Sequence, residues 1–200
     1  MLIDIEETQL VLIDYQTQLM PHIFEAEQVL ANAVRLAKIA KLLRLPVFGT
    51  EHNPDGLGAT VDELRGLYGR TLTKTFFSAV EDGLVEGLRP EPKPPGGNAR
   101  SLPKHLQKAV PQTAERSTIV IAGCEAHVCL LQTSLDLLEQ EFEVWVVTDA
   151  CSSRTERNRD AAFDRLAGAG AELVTTEMVA FEWLRTSDHD AFRDVLALLK

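Results

Sequence analysis

Cysteine is scarce in this chain of 200 residues, and so are aromatic side chains and long apolar runs. Three cysteines are too few for a disulfide framework, and their spacing fits neither a CxxC pair nor a tetrahedral zinc site, so we expect a reducing, cytoplasmic environment. No apolar run approaches the ~20 residues needed to cross a bilayer. The N-terminus lacks a basic segment followed by an apolar core, which argues against a signal peptide.

Basic side chains are outnumbered as well. Twenty Lys and Arg face thirty Asp and Glu, which gives a formal charge of -10. This field repels phosphate groups, so we expect neither nucleic acid nor a membrane surface as a partner. A small-molecule substrate remains possible even if it is anionic, because one lysine can reverse the field inside a pocket. With 45% hydrophobic residues, we predict one globular domain spanning residues 1–200.

Short apolar runs alternate with segments of helical periodicity. The runs predict buried strands at 9–13, 46–50, 118–122, 144–147 and 172–174, and the periodic segments predict helices at 27–43, 130–138, 161–167 and 190–199. Continuous apolar strands separated by helices are typical of a parallel sheet covered on both faces. The predicted fold is therefore an α/β class, three-layer α/β/α sandwich with a central, mainly parallel sheet of Rossmann-like topology.

Residues 89–103 interrupt this alternation. They contain five prolines and two glycines, a composition that excludes a core element. We predict a surface loop insertion there, and its composition fits a solvated spacer as well as a lid over a site.

Three reactive side chains are expected to converge on one edge of the sheet. Asp14 follows the first apolar run, Lys74 lies just beyond Leu72, and Cys129 follows the run closed by Gly123. Ligands of open parallel sheets bind outside the carboxyl ends of the strands, so these groups should converge. A thiol at a helix start gains from the helix dipole, a lysine adds to that effect, and a carboxylate can take and return the proton. Acid, cation and thiol together predict nucleophilic catalysis.

Three segments resemble the signatures of isochorismatase-like cysteine hydrolases: 12–16, 73–78 and 123–129. The resemblance is greatest to the isochorismatase-domain-containing branch and covers nearly the whole chain apart from 89–103. It implies that Cys129 is the nucleophile, Asp14 the general base and acid, and Lys74 the cation that lowers the thiol pKa. It also implies a cis peptide between Cys124 and Glu125, which would aim the Glu125 N–H beside the Cys129 N–H as an oxyanion hole.

The substrate pocket is predicted from the neighbours of these residues. We expect one of the adjacent phenylalanines to line the pocket and the other to belong to the core, and we expect His127 to cap its turn or to serve as a second acid–base group. Leu19 stands where the family often has an aromatic residue. The predicted pocket residues are Gln16, Leu19, Phe76, Phe77 and His127.

A metal is not expected. Nicotinamidases, which are related to this family, bind one through an Asp-x-His pattern after the second strand, whereas residues 50–52 read Thr-Glu-His here. We therefore predict neither a metal nor another cofactor, and nicotinamidase activity becomes less favoured.

The predicted function is hydrolysis of a small amide, carbamoyl or related C–N bond through a thioester on Cys129. One alternative is a catalytically silent binding or scaffold protein. Another is a redox protein, in which Cys124 would resolve a disulfide; Cys124 is also a rival nucleophile. We assign salt bridging or subunit contact to Asp149 and Arg154. The apolar segment 178–184 predicts a homo-oligomer, although it would also fit simple packing on the sheet.

Overall fold

The computed structural model describes residues 1–89 and 116–200. Its sheet has six parallel strands in the order β3-β2-β1-β4-β5-β6. The strands are β1 (Thr8–Ile13), β2 (Val47–His52), β3 (Arg70–Lys74), β4 (Thr118–Gly123), β5 (Glu143–Val147) and β6 (Glu172–Val174). The helices are α1 (Ala26–Leu42), α2 (Pro54–Leu57), α3 (Leu84–Leu88), α4 (Leu131–Glu139), α5 (Glu156–Gly168), α6 (Thr176–Leu184) and α7 (Phe192–Leu199).

The helices cover both faces of the sheet. Helix α1 contacts α6 and α7, whereas α4 contacts α5 and the strand that follows it. Every residue of β1 and of β4 is buried, which is why both strands read as unbroken apolar runs in the sequence. The predicted α/β architecture with a parallel sheet is confirmed. The predicted insertion at 89–103 lies outside the described residues except for Arg89.

Strand β3 is absent from the sequence prediction. It is an edge strand whose burial is mostly low until its last residue, Lys74. Its side chains alternate instead of forming an apolar run, so its sequence resembles a loop. Its backbone pairs with β2 from Phe48 to His52, and this pairing sets His52 opposite Lys74.

The sheet reverses its strand order between β1 and β4. This is the topological switch point, where α/β sheets open a crevice at the carboxyl ends of the strands. The two strands come very close at their ends: a Cβ on Gly123 would stand 2.5 Å from the Cβ of Ile13. Glycine is therefore required at this position.

Helix α6 contains the whole apolar segment at 178–184. Val179, Ala180 and Trp183 are buried, so much of the segment packs inside the protein. Met178 and Phe181 remain 46% and 39% exposed. Among the described residues, no helix has the length and apolar character to cross a membrane.

Candidate active site

Asp14 lies directly after β1, at the switch point, with no exposed surface. Its backbone is left-handed, with φ of 54°, a conformation that costs a non-glycine residue about 1–3 kcal/mol and clusters at functional sites. Its carboxylate is held from two sides. Thr50 Oγ1 donates to Oδ1 at 2.6 Å, and Lys74 Nζ lies 2.8 Å from Oδ2.

Lys74 ends β3 and is buried like its partner, with both side chains 0% exposed. Its ammonium also donates to the carbonyl oxygens of Phe76 at 3.3 Å and Phe77 at 3.0 Å. The contact with Asp14 lacks the alignment of a hydrogen bond, since Oδ2 has no hydrogen-bond partner. The two residues form an ion pair, and Oδ2 keeps its capacity to accept a proton.

Cys129 lies in one turn of π-helix, Ala126–Leu130, which continues directly into α4. Such turns occur frequently at functional sites. The thiol lies near enough to Asp14 and Lys74 for both charges to act on its pKa. The structure thus brings together the three residues predicted to form a triad, from the ends of β1 and β3 and from the turn after β4.

The thiol of Cys129 is not activated in the resting protein. Burial raises its pKa to about 12, the charge of Asp14 acts in the same direction, and Lys74 opposes both. Lys74 lowers the pKa and Asp14 raises it, as expected, but desolvation, which the sequence prediction leaves out, is the largest effect. At neutral pH the resting side chain is therefore a thiol.

The turn between β4 and the π-helix contains no cis peptide, and the bond between Cys124 and Glu125 is trans. The prediction of a cis peptide bond at this position is therefore wrong. The chain reverses here through the left-handed backbone of Glu125, with φ of 53° and ψ of 59°. The pairing of the Glu125 and Cys129 N–H groups as an oxyanion hole remains a prediction.

The side chain of Glu125 organises a polar cluster beside this turn. Its Oε1 lies 2.8 Å from Nε of Arg154, and its Oε2 lies 3.2 Å from Nδ1 of His127. His127 Nδ1 also lies 2.9 Å from Ser153 Oγ, and its backbone N–H donates to the same hydroxyl. His127 thus ties the turn to the loop after β5, and Arg154 forms the expected salt bridge. Asp149 caps α6 by accepting from the N–H of Thr176 at 2.8 Å.

Two of the predicted pocket residues have structural roles. Gln16 is fully buried, and its amide is saturated by main chain: it donates to the carbonyls of His52 and Gly58 and accepts from the His52 N–H. Leu19 belongs to the hydrophobic core at 9% exposure. Substrate contact by these two residues remains a prediction.

The expected division of Phe76 and Phe77 into one pocket and one core residue is wrong. Both side chains are about half exposed, at 56% and 50%, because the residues lie in the loop after edge strand β3. Their carbonyl groups bind Lys74 instead, so the main chain of this loop belongs to the site. The Phe77 ring lies 5.4 Å from that of His52.

The remaining cysteines are poor candidates for chemistry. Cys124 is fully buried with its sulfur 3.3 Å from that of Met20, and burial holds its pKa well above the ordinary thiol value. Burial also raises the pKa of Cys151. All three cysteines are free. Within 1–89 and 116–200, no three His, Cys, Asp or Glu side chains are grouped to hold a metal.

Thr50 is the site residue that the sequence prediction misses. It is fully buried near the end of β2 and touches Asp14 directly. Its place at the end of the predicted strand 46–50 puts it at the edge of the sheet but does not distinguish it from a structural threonine.

The six-stranded parallel sheet with helices on both faces defines an α/β protein, and a buried thiol, carboxylate and ammonium meet at its switch point. The isochorismatase-domain family model matches residues 8–178. Isochorismatase domain-containing protein 2 of Rattus norvegicus is 34% identical over 195 residues, which cover 98% of this chain and 82% of that protein. The human protein of the same name is 34% identical, with 96% and 82% covered. The chain belongs to the isochorismatase family of hydrolases.

Solved structures share the fold. The MAR1 ribonuclease of Caenorhabditis elegans superposes with a TM-score of 0.83 at 30% identity, covering 100% of this chain and 92% of that one. The YcaC protein of Pseudomonas aeruginosa gives 0.77 at 25%, with 98% and 91% covered. The YcaC protein of Escherichia coli gives 0.75 at 25%, with 99% and 87% covered.

Proposed function

We propose that this protein is a cysteine hydrolase that cleaves the C–N bond of a small amide or carbamoyl substrate. One observation carries the proposal: Asp14, Lys74 and Cys129, which lie far apart in the sequence, meet in a buried site at the switch point. This combination supplies a nucleophile, a proton acceptor and a fixed positive charge.

Proton transfer must accompany attack, because the resting thiol is protonated. As Sγ of Cys129 bonds to the substrate carbonyl carbon, Asp14 takes the thiol proton and then delivers it to the leaving nitrogen. The C–N bond breaks, the amine departs, and a thioester remains on Cys129. Water then attacks the thioester while Asp14 takes its proton and returns it to the sulfur, which releases the acid and restores the thiol.

Lys74 stabilises the anionic species of this cycle. Its ammonium lies against Asp14 and the thiol, so it offsets negative charge whether that charge resides on oxygen or on sulfur. Its position is fixed by two carbonyl groups of the 76–77 loop. The oxyanion of the tetrahedral intermediate would be held by the backbone N–H groups of Glu125 and Cys129.

The relatives support this reaction class without naming a substrate. The E. coli YcaC protein is described as an octameric hydrolase of unknown specificity, and the P. aeruginosa protein carries a covalent acrylamide. Acrylamide is an electrophile that thiols attack. By analogy with the octamer, we propose a homo-oligomer for this chain as well, with Met178 and Phe181 of α6 as candidate contact residues.

RNA cleavage is a second candidate, because a relative at 30% identity is described as a ribonuclease. The net charge of -10 disfavours it, since a phosphate chain would be repelled. A binding protein without turnover is the third candidate. Its site would need no intact triad, whereas all three residues are in contact here.

The test is a screen of small amides, carbamates, ureido acids and RNA with the parent, Cys129→Ala and Cys151→Ala. Cys151 is the matched control, a buried free cysteine away from the ion pair. We expect turnover of a C–N substrate that falls by about 10³-fold or more in Cys129→Ala and survives in Cys151→Ala. Turnover that persists in Cys129→Ala, or that disappears on chelation with EDTA and returns with zinc, would contradict the mechanism.

A further inference from the structure

Thr50 and Asp14 are joined twice. The backbone N–H of Asp14 donates to the carbonyl of Thr50 at 3.3 Å, and the hydroxyl of Thr50 donates to Asp14 Oδ1 at 2.6 Å. Both residues are fully buried. The second bond has the length of a charge-assisted hydrogen bond. No other side chain within the described ranges donates a hydrogen bond to this carboxylate.

The two oxygens of Asp14 therefore have different tasks. Oδ1 is occupied by the Thr50 hydroxyl, whereas Oδ2 faces Lys74 at 2.8 Å without a directed hydrogen bond. A carboxylate free to rotate about its last bond would exchange these positions. The hydroxyl of Thr50 opposes that rotation, because it would break a buried hydrogen bond to a charged group.

We propose that Thr50 is a positioning residue: its hydroxyl holds the Asp14 carboxylate so that Oδ2 stays directed at the thiol of Cys129. This inference rests on the proposed function, since it assigns Asp14 the proton transfer. In this proposal Thr50 contacts neither the sulfur nor the substrate and acts through Asp14. The hydroxyl also stabilises the charged carboxylate, so its removal should make Asp14 a stronger proton acceptor that releases the proton less readily.

The experiment compares Thr50→Val, Thr50→Ser and Thr176→Val. Valine keeps the shape of threonine without the hydroxyl, and serine keeps the hydroxyl. Thr176 is the matched control, because it is also buried and also donates to a carboxylate, Asp149 Oδ1 at 2.9 Å, outside the triad. Circular dichroism and the urea midpoint establish that each variant is folded.

We expect Thr50→Val to lower kcat by about 10- to 100-fold, which is the loss expected for one hydrogen bond to a charged group. KM should stay within about twofold, because the residue does not touch the substrate. The acid limb of the kcat/KM profile should move to higher pH. Thr50→Ser should restore both kcat and the profile, and Thr176→Val should change neither.

Alkylation of Cys129 by iodoacetamide gives a readout without a substrate. In Thr50→Val, Cys129 should be alkylated several-fold faster than in the parent at neutral pH. The carboxylate of Asp14 is then the stronger proton acceptor, so the thiol transfers its proton to it more readily. The rate should move toward that of Asp14→Asn, where the thiolate also lies beside a neutral side chain. In the Asp14→Asn background the same substitution should have no effect, since the group through which it acts has changed.

Three results would overturn the inference: an unchanged pH profile in Thr50→Val, no recovery in Thr50→Ser, or an equal effect on alkylation with and without the Asp14 carboxylate. Failure of the proposed function looks different. There, Cys129→Ala would retain turnover, while the alkylation comparison would still report whether Thr50 acts through Asp14.

Discussion

The buried ion pair allows a quantitative test of how the site affects folding. In Lys74→Met, a side chain of similar length carries no charge, so the buried Asp14 carboxylate loses its cation and keeps, within the described residues, only the hydrogen bond from Thr50. The carbonyls of Phe76 and Phe77 lose their donor at the same time. Breaking a buried pair by removing one partner costs about 3–5 kcal/mol. Against a typical unfolding free energy of about 5–15 kcal/mol, this loss is large.

The double variant decides whether the pair is the cause. Asp14→Asn alone leaves an unpaired ammonium and should also cost about 3–5 kcal/mol. Asp14→Asn combined with Lys74→Met leaves neither charge, so its destabilisation should be smaller than the sum of the single losses by about 3 kcal/mol. Urea unfolding followed by tryptophan fluorescence measures all four proteins, with Trp145 and Trp183 as buried reporters.

An exposed pair of the same length is the control. Arg65 and Asp62 are also 2.8 Å apart, but their side chains are 61% and 83% exposed. Their coupling should not exceed about 1 kcal/mol, since water screens the charges. If the losses for Asp14 and Lys74 simply add, within about 0.5 kcal/mol, the two residues do not stabilise each other and the argument from burial is refuted.

Two further outcomes follow from burial and exposure. The unfolding free energy should fall as pH rises above ~8.5, because the unfolded chain loses thiol protons that the folded protein retains. The slope should be about 1.4 kcal/mol per pH unit for each thiol. For Cys129 the fall should continue to about pH 12. Urea titrations between pH 8 and 10.5 measure this slope, and Cys151→Ala should reduce it. An unfolding free energy that does not change with pH would show that the thiols are not buried in solution. Light scattering should give a mass above the 22.1 kDa of one chain. Met178→Asp and Phe181→Asp should lower that mass. A stable monomer at micromolar concentration would exclude assembly through α6.

The sequence predicts those parts of the fold in which one strong signal dominates. Strands β1, β4 and β5 are found because full burial requires continuous apolar residues. Edge strand β3 is missed because its exposed side chains remove that signal. Asp14 and Cys129 are placed near each other because the carboxyl ends of parallel strands converge, a rule that needs no side-chain detail. Lys74 is assigned through the resemblance of segment 73–78, since its own strand is not recognised.

The predictions that fail concern features set by a balance of opposing free energies or by local backbone conformation. The thiol pKa is a balance among desolvation, Asp14 and Lys74, and only coordinates reveal that desolvation dominates. The trans bond before Glu125 is a local conformational choice that the residue types do not fix. The exposure of Phe76 and Phe77 depends on where an unrecognised strand ends. Thr50 is found only once its hydroxyl is seen beside Asp14.

The position of Lys74 links the site to local unfolding of the protein. The ammonium is supplied by an edge strand, which has one neighbour to hold it and is mostly exposed before its final residue. Edge elements with few buried contacts belong to the parts of a protein that open by local unfolding well below the global free energy. Each such opening of β3 would withdraw the cation while Asp14, just after inner strand β1, and Cys129, in the turn after inner strand β4, stay in place. The docking of one short strand thus sets the fraction of molecules in which the ammonium lies beside Asp14 at any instant. Hydrogen exchange at the amides of 70–74 would measure that fraction.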